Sequence, residues 1–201
     1  MTKSHIKTIG ATNHTEEARE LNDYYATYPA DFSIFLDKIK EDGIILQQTI
    51  WEPACGQGHI STVLFNKGYD VYSSDLINRG YGEELDYISS SQVSWKGDII
   101  TNPPFKLSSE FIFRSMDLLD DGGYLMLLLP LRYLETKARY RLFKRFMPKY
   151  VYAYSYRINI GKSGVFEGGN AVAYAWFLWQ KGSDKETVIR FIPHPKWIDN
   201  E

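Results

Sequence analysis

The chain has 201 residues, of which 44% are apolar, 15% aromatic and 24% charged, a balance that describes one domain able to bury its own core and excludes disordered and fibrous sequences. Its longest apolar run, residues 124–131 with Pro130 inside, is far below the ~18 residues of a membrane span, and a lone Cys without a Cys/His cluster offers neither a disulfide framework nor a metal site. The net charge of -2 conceals an asymmetry, because residues 1–130 carry 10 Lys and Arg against 19 Asp and Glu, whereas residues 131–170 carry 9 against 2.

The start of the chain lacks the apolar core of a signal peptide, so a reducing cytoplasm is expected. After a polar arm over residues 1–22, Phe32, Phe35, Leu36 and Ile39 fall at helical spacing. Residues 44–51 read as a buried strand, followed by a glycine-punctuated turn and a helix through Ile60, Val63, Leu64 and Phe65. A second strand over residues 69–74 ends at Asp75, and no strand is expected around Asp86. The alternation continues with a strand over 98–101, a helix over 108–119, a strand over 123–129 and a helix from Lys137 to about Met147. Aromatic and β-branched strands over 150–158 and 171–179 follow, separated by a glycine-rich stretch, residues 161–170, expected to be a mobile loop on the substrate side. Residues 187–192 add an edge strand.

Strands separated by helices specify an α/β fold with a mainly parallel sheet and helices on both faces, since each parallel crossover needs a bridging helix. Such sheets bind ligands just beyond the carboxyl ends of their strands. Two segments there carry chemistry. In the first, Gly56 and Gly58 allow a tight turn and a close backbone approach to a ligand, and Asp75 at the end of the next strand offers a carboxylate to ribose hydroxyls. A dinucleotide loop would place a third glycine where Ser61 stands, and Glu52 ahead of the glycines would repel a pyrophosphate. A cationic cofactor suits this loop better, and S-adenosylmethionine, with an ammonium group and a sulfonium, fits it. Cys55 reads as a packing residue and His59 as the start of the helix.

The second segment is Asn102-Pro103-Pro104-Phe105 after the 98–101 strand. Two prolines force a stiff, extended backbone and remove donors while leaving carbonyls as acceptors. The Asn102 side-chain oxygen and the Pro103 carbonyl together accept both hydrogens of one exocyclic amine, and Phe105 offers a face on which a planar ring stacks. Such an amine is a poor nucleophile, because its lone pair is delocalised. Holding both hydrogens turns that lone pair toward an electrophile, so positioning carries most of the rate.

These motifs, with the upstream Asp23-Tyr24-Tyr25-Ala26-Thr27-Tyr28-Pro29, resemble the small S-adenosylmethionine-dependent DNA adenine-N6 methyltransferases of phages and bacteria, over residues 24–179. The resemblance implies a Rossmann-like class I methyltransferase fold, with a mainly parallel seven-stranded sheet, helices on both faces and an antiparallel last strand. It implies methyl transfer to adenine N6 in DNA after base flipping, in a bacterial or phage-infected host cytoplasm, with S-adenosylhomocysteine as product and no metal. Asn102, Pro103, Pro104 and Phe105 would form the catalytic segment, with Asn102 also touching the cofactor. Tyr25 and Thr27 would meet the methionine end of the cofactor, Glu52, Ala54, Gly56 and Gly58 would form the loop beneath it, Asp75 would hold the ribose and Asp86 the adenine amine, with Asp98 a rival for that place.

The basic segment then suits a DNA partner, or RNA. Its candidates are Arg132, Lys137, Arg141, Lys144, Arg145, Arg157 and Lys162. In the 137–147 helix, Ala138, Leu142, Phe143 and Phe146 share the apolar face, with Arg139 on that side and its head group reaching water. One domain over residues 1–201, acting as a monomer or homodimer, leaves no room for a separate target-recognition domain, which makes specificity a property of loops, of a second subunit, or loose. An RNA adenine or guanine amine and a protein glutamine amide are the alternative acceptors, since both chemistries use a similar tetrapeptide. A binding module with a dead cofactor fold is the non-enzymatic alternative.

Overall fold

The structure is a computed structural model that describes residues 24–162, 164–166, 171–184 and 186–198. The predicted polar arm, along with Ser163 and residues 167–170 of the glycine-rich stretch, lies outside the described residues. In chain order the elements are β1 (Tyr25–Thr27), α1 (Pro29–Glu41), β2 (Thr49–Glu52), α2 (His59–Asn66), β3 (Asp70–Asp75), β4 (Glu83–Glu84), β5 (Asp98–Thr101), α3 (Ser108–Leu118), β6 (Tyr124–Pro130), α4 (Lys137–Arg145), β7 (Tyr150–Tyr154), β8 (Ile160–Lys162), β9 (Tyr174–Gln180), β10 (Val188–Ile192) and α5 (Pro195–Ile198).

The main sheet runs β10-β7-β9-β6-β5-β2-β3-β4. β9 lies antiparallel to both its neighbours, and the remaining pairs are parallel. The expected strands, β2, β3, β5, β6, β7, β9 and the edge strand β10, all lie in this sheet, and the unexpected two-residue β4 extends it to eight; the antiparallel member is β9, while the last strand, β10, pairs in parallel with β7. Side chains alternate between the faces. Ile50, Ile100, Met126, Leu128, Tyr152 and Trp176 pack against α1 and α2, while Trp51, Ile99, Leu125, Leu127, Val151 and Phe177 pack against α3 and α4. α1 starts with Pro29 in its first turn, where a missing N–H costs nothing, and buries Phe32, Phe35, Leu36 and Ile39.

The first predicted strand is shorter than its apolar pattern. Ile45 is 86% exposed, and the N–H of Gln47 is taken by the Asp98 carboxylate at 2.7 Å instead of by a neighbouring strand. Asp98 also accepts the N–H of Tyr124 at 2.7 Å, so this acid pins the entry of β2 to the entry of β6, at the end of the sheet away from the strands' carboxyl ends. Two further departures bear on the site. A two-residue strand, β4, precedes Asp86 where none was expected, and the glycine-rich stretch begins as a strand, β8, whose backbone pairs with β1 in a separate antiparallel ribbon.

The order of the sheet reverses between β2 and β5, since the chain builds outward from β2 through β3 to β4 on one side and from β5 through β6 on the other. At such a switch point the loops after the two central strands diverge and leave a crevice. The loop after β2 carries Gly56 and Gly58, and the loop after β5 carries Asn102 to Phe105.

Candidate active site

The β2 loop is sealed more tightly than its glycines suggest. Gly56 and Gly58 have φ of +55° and +79°, which a side chain adopts only with strain. What occupies the space above them is protein: a Cβ on Gly56 would strike the Tyr24 ring, and one on Gly58 the Tyr81 ring. Tyr24 is held there by its hydroxyl, which accepts from the N–H of Gln57 at 3.1 Å and lies 3.3 Å from His59 Nδ1. Where open backbone was expected, the Cβ side of each glycine is covered by an aromatic ring, and neither glycine is among the residues that line the cleft.

Glu52 departs from expectation in the same way. It is 2% exposed, and its carboxylate accepts from the N–H of Ser61 at 2.7 Å and from the Ser61 hydroxyl, which in turn meets the Ser73 hydroxyl at 2.6 Å. Burial pushes its pKa up to about 8, against the Ser61 hydrogen bonds that favour the charged form. Ser61, where a dinucleotide loop would have glycine, is therefore the partner of a buried acid. Cys55 is buried and its thiol is pushed up to about 12, chiefly by burial, so it packs as a neutral group.

The cleft itself, about 270 Å³, opens between the two loops. Pro53 and Ala54 line it from the β2 side, Asp75 from the end of β3 and Asp86 from beyond β4. Asp75 accepts from the N–H of Gly56 at 2.8 Å with one oxygen and from that of Ile77 at 3.0 Å with the other. A carboxylate has about four acceptor positions, so hydroxyl donors can still be received. Asp86 is held by the N–H of Ile88 at 3.0 Å and the Ser89 hydroxyl at 2.7 Å, and the Ser89 hydroxyl foremost keeps its carboxyl below the ordinary range, hence ionised. Asp98, its rival, is remote from the cleft lining and serves the sheet entry.

On the β5 side Asn102, Pro103, Pro104 and Phe105 all line the cleft. The Asn102 amide is oriented by its nitrogen, which donates to the Tyr25 carbonyl at 2.6 Å and to Thr27 Oγ1 at 3.2 Å. A carbonyl only accepts, so the nitrogen must face β1 and the Oδ1 acceptor is turned the other way. The N–H of Leu107 closes on the Pro104 carbonyl at 2.8 Å, which leaves the Pro103 carbonyl outside that turn. Phe105 lies with its ring within 9° of parallel to that of Tyr25 at a centroid separation of 6.1 Å, and Tyr174 flanks it at 5.9 Å. Tyr25 lines the cleft, whereas Thr27, buried, reaches it only through Asn102.

The structure thus brings together Tyr25, Ala54, Asp75, Asp86 and Asn102 to Phe105 around one cavity, whereas Thr27, Glu52, Gly56 and Gly58 are not among its lining residues. Sequence reading missed Leu76, Ile77 and Ile88, apolar walls whose only signal is their place within two residues after the two acids, and the cations Arg79 and Lys106.

The seven candidate basic residues are exposed and lie outside the cleft lining. Arg145 covers the Phe113 and Phe146 rings, and Lys144 the Tyr140 ring. Ala138, expected on the apolar face of α4, is exposed. Arg139, expected to reach water, instead lies 3.8 Å from the centre of the Tyr133 ring and hydrogen-bonds the Ser109 hydroxyl, because Tyr133 and α3 offer it a face and an acceptor. Among the described residues no helix is long and apolar enough to cross a membrane.

The sequence matches no protein-family profile and no curated protein. The fold is similar to that of a protein of Listeria monocytogenes assigned to the class I S-adenosylmethionine-dependent methyltransferases, with a TM-score of 0.60 and 17% identity over 82% of this chain and 65% of that one. It is also similar to a modification subunit assigned to a type I restriction enzyme of Vibrio vulnificus, with a TM-score of 0.60 and 13% identity over 87% of this chain and 48% of that one. A protein of Pyrococcus horikoshii assigned as an RNA methyltransferase superposes with a TM-score of 0.58 and 15% identity over 78% of this chain and 86% of that one. The chain thus spans less than two thirds of the first two neighbours, and what the likeness establishes is the methyltransferase-type Rossmann fold.

Proposed function

We propose that this chain transfers a methyl group from S-adenosylmethionine to the exocyclic N6 amine of adenine in DNA. The observation that carries the reading is the Asn102 amide, whose nitrogen is committed to Tyr25 and Thr27 so that its oxygen is presented as an acceptor beside the Pro103 carbonyl and the Phe105 ring. The cleft fits the cofactor: two carboxylates for hydroxyl and amine donors, apolar walls from Leu76, Ile77 and Ile88 for a purine, and a single cavity joining them to Asn102.

When bound, the cofactor supplies a methyl carbon made electrophilic by its positively charged sulfur. Asp75 receives the ribose hydroxyls and Asp86 the adenine amine, which fixes the nucleoside half. Tyr25 and Ala54, in the same lining, border the methionine half. Asn102 Oδ1 and the Pro103 carbonyl each accept one hydrogen of the target amine, which turns the nitrogen lone pair toward the methyl group. Phe105 supports the target ring from its face. The nitrogen sheds its surplus proton after the bond has formed, so no strongly basic side chain is needed.

A base in duplex DNA must leave the stack to reach Asn102. The exposed cations Arg132, Lys137, Arg141, Lys144, Arg145, Arg157 and Lys162 would hold the backbone that carries it, as monomer or homodimer. The test is transfer of labelled methyl from S-adenosylmethionine to separate pools of duplex DNA, single-stranded DNA, RNA and protein, with the product identified by mass. N6-methyladenine in DNA is expected. Label confined to RNA bases or to glutamine would replace the acceptor, and no transfer to any pool would reject the activity.

A further inference from the structure

The loop between β3 and β4 carries a cation that the chemistry above leaves unused. Arg79 lines the cleft four positions after Asp75, and its guanidinium carbon lies 4.6 Å from the centre of the Tyr24 ring. Its Nε is buried without a hydrogen-bond partner, and Arg79 forms no ion pair among the described residues. A buried donor without an acceptor is costly to keep, and a guanidinium stacked on a ring keeps its edge free for a planar anion.

The position of Arg79 says which anion. Tyr24 is fixed over Gly56, so Arg79 stands beside the glycine loop, in one cavity with Asp75, Asp86 and Ile88. The other cation of the lining, Lys106, follows Phe105 and is exposed on the acceptor side. Two acids and a fork of N–H donors in one cavity match a ligand with a polar nucleoside at one terminus and a carboxylate at the other.

Resting on the methyltransferase reading, we infer that Arg79 binds the α-carboxylate of the cofactor's amino-acid tail. It acts as a positioning residue, with Tyr24 as its platform: anchoring the tail fixes the sulfur at the distance from Asn102 that transfer requires.

The test compares two ligands by calorimetric titration of the wild-type chain, Arg79→Met and Arg79→Lys. S-adenosylhomocysteine carries the amino-acid tail, and 5′-methylthioadenosine has the same nucleoside and sulfur without it. Arg79→Met is expected to weaken S-adenosylhomocysteine roughly 10- to 100-fold, the range for a charge-assisted hydrogen bond, and to leave 5′-methylthioadenosine within about 2-fold. Arg79→Lys is expected to recover part of the loss. Equal weakening of both ligands, no weakening of either, or a loss seen only in oligonucleotide affinity would each overturn the assignment. A wild-type chain that binds neither ligand would instead refute the cofactor reading, and the role of Arg79 with it.

Discussion

Asn102 is the residue on which the chemistry converges, and its surroundings separate its two tasks. The nitrogen is held by β1, and in the proposed reaction the oxygen is the end offered to substrate. Asn102→Ala is therefore expected to lower methyl transfer by about 10²- to 10³-fold, the scale of losing one preorganised hydrogen-bonding group, while S-adenosylhomocysteine affinity measured by titration stays near wild type. A variant that retains its single-turnover rate would refute the mechanism. Asp75→Ala is expected to weaken that same ligand by about 1.5–3 kcal/mol, and unchanged affinity would move the ribose elsewhere. Glu52 contributes to stability with a definite sign. Its carboxyl holds a proton up to about pH 8 in the folded chain, whereas the unfolded group releases it near the ordinary value of 4.5. The stability it contributes is thus fully present below the lower value and is lost as pH rises through the upper one. Asp98, raised to about 6 chiefly by burial, adds the same sign over a narrower window. Melting temperature is expected to fall between pH 5 and 8 in the wild type and less steeply in Glu52→Gln; equal slopes would show that the acid does not titrate there.

Among the elements, the β2 loop and the β1–β8 ribbon depend on each other. Tyr24 precedes β1 and lies on Gly56, and Phe166, just beyond β8, packs edge-on against His59 at the start of α2. Gly56→Ala is expected to lower unfolding stability in urea by about 1–3 kcal/mol, from left-handed backbone strain plus collision with Tyr24. Tyr24→Ala in that background should recover the collision part, a coupling of at least about 0.5 kcal/mol. Strict additivity would mean that Tyr24 yields freely. The main-sheet strands other than β4 were legible because each is a short, largely apolar run between turn residues, and α1 because Phe32, Phe35, Leu36 and Ile39 keep a 3.6-residue period. The ribbon was not. Three-residue strands leave no periodic trace, and Tyr25 meets Lys162 only through the folded chain. Glu52 misled for a related reason: an acid beside two glycines looks aimed at a ligand, and its true partner, Ser61, lies across the loop on a helix.

At the scale of the molecule, the switch point between β2 and β5 made the cleft foreseeable, since the residues directly after the central strands are the ones that line it. Its second wall, with Leu76, Ile77, Arg79 and Ile88, comes from irregular loops whose course no local pattern dictates. The unequal charge of the chain leads to a measurement of its own. If α4 faces nucleic acid, replacing Lys137, Arg141 and Lys144 by Gln should weaken oligonucleotide binding across sequences and reduce the slope of log K against log salt by about 0.9 for each duplex phosphate that is no longer neutralised. An unchanged slope would assign those charges to solvent. The tie from Asn102 to Tyr25 spans 77 positions of sequence. An amide has two nearly isosteric ends, and a half-rotation about its last bond would present hydrogens to an incoming amine that itself bears hydrogens. Attraction would become repulsion without any atom leaving its place. The earliest described strand thus acts as a polarity key, and loosening it would silence the reaction centre while leaving its outline unaltered.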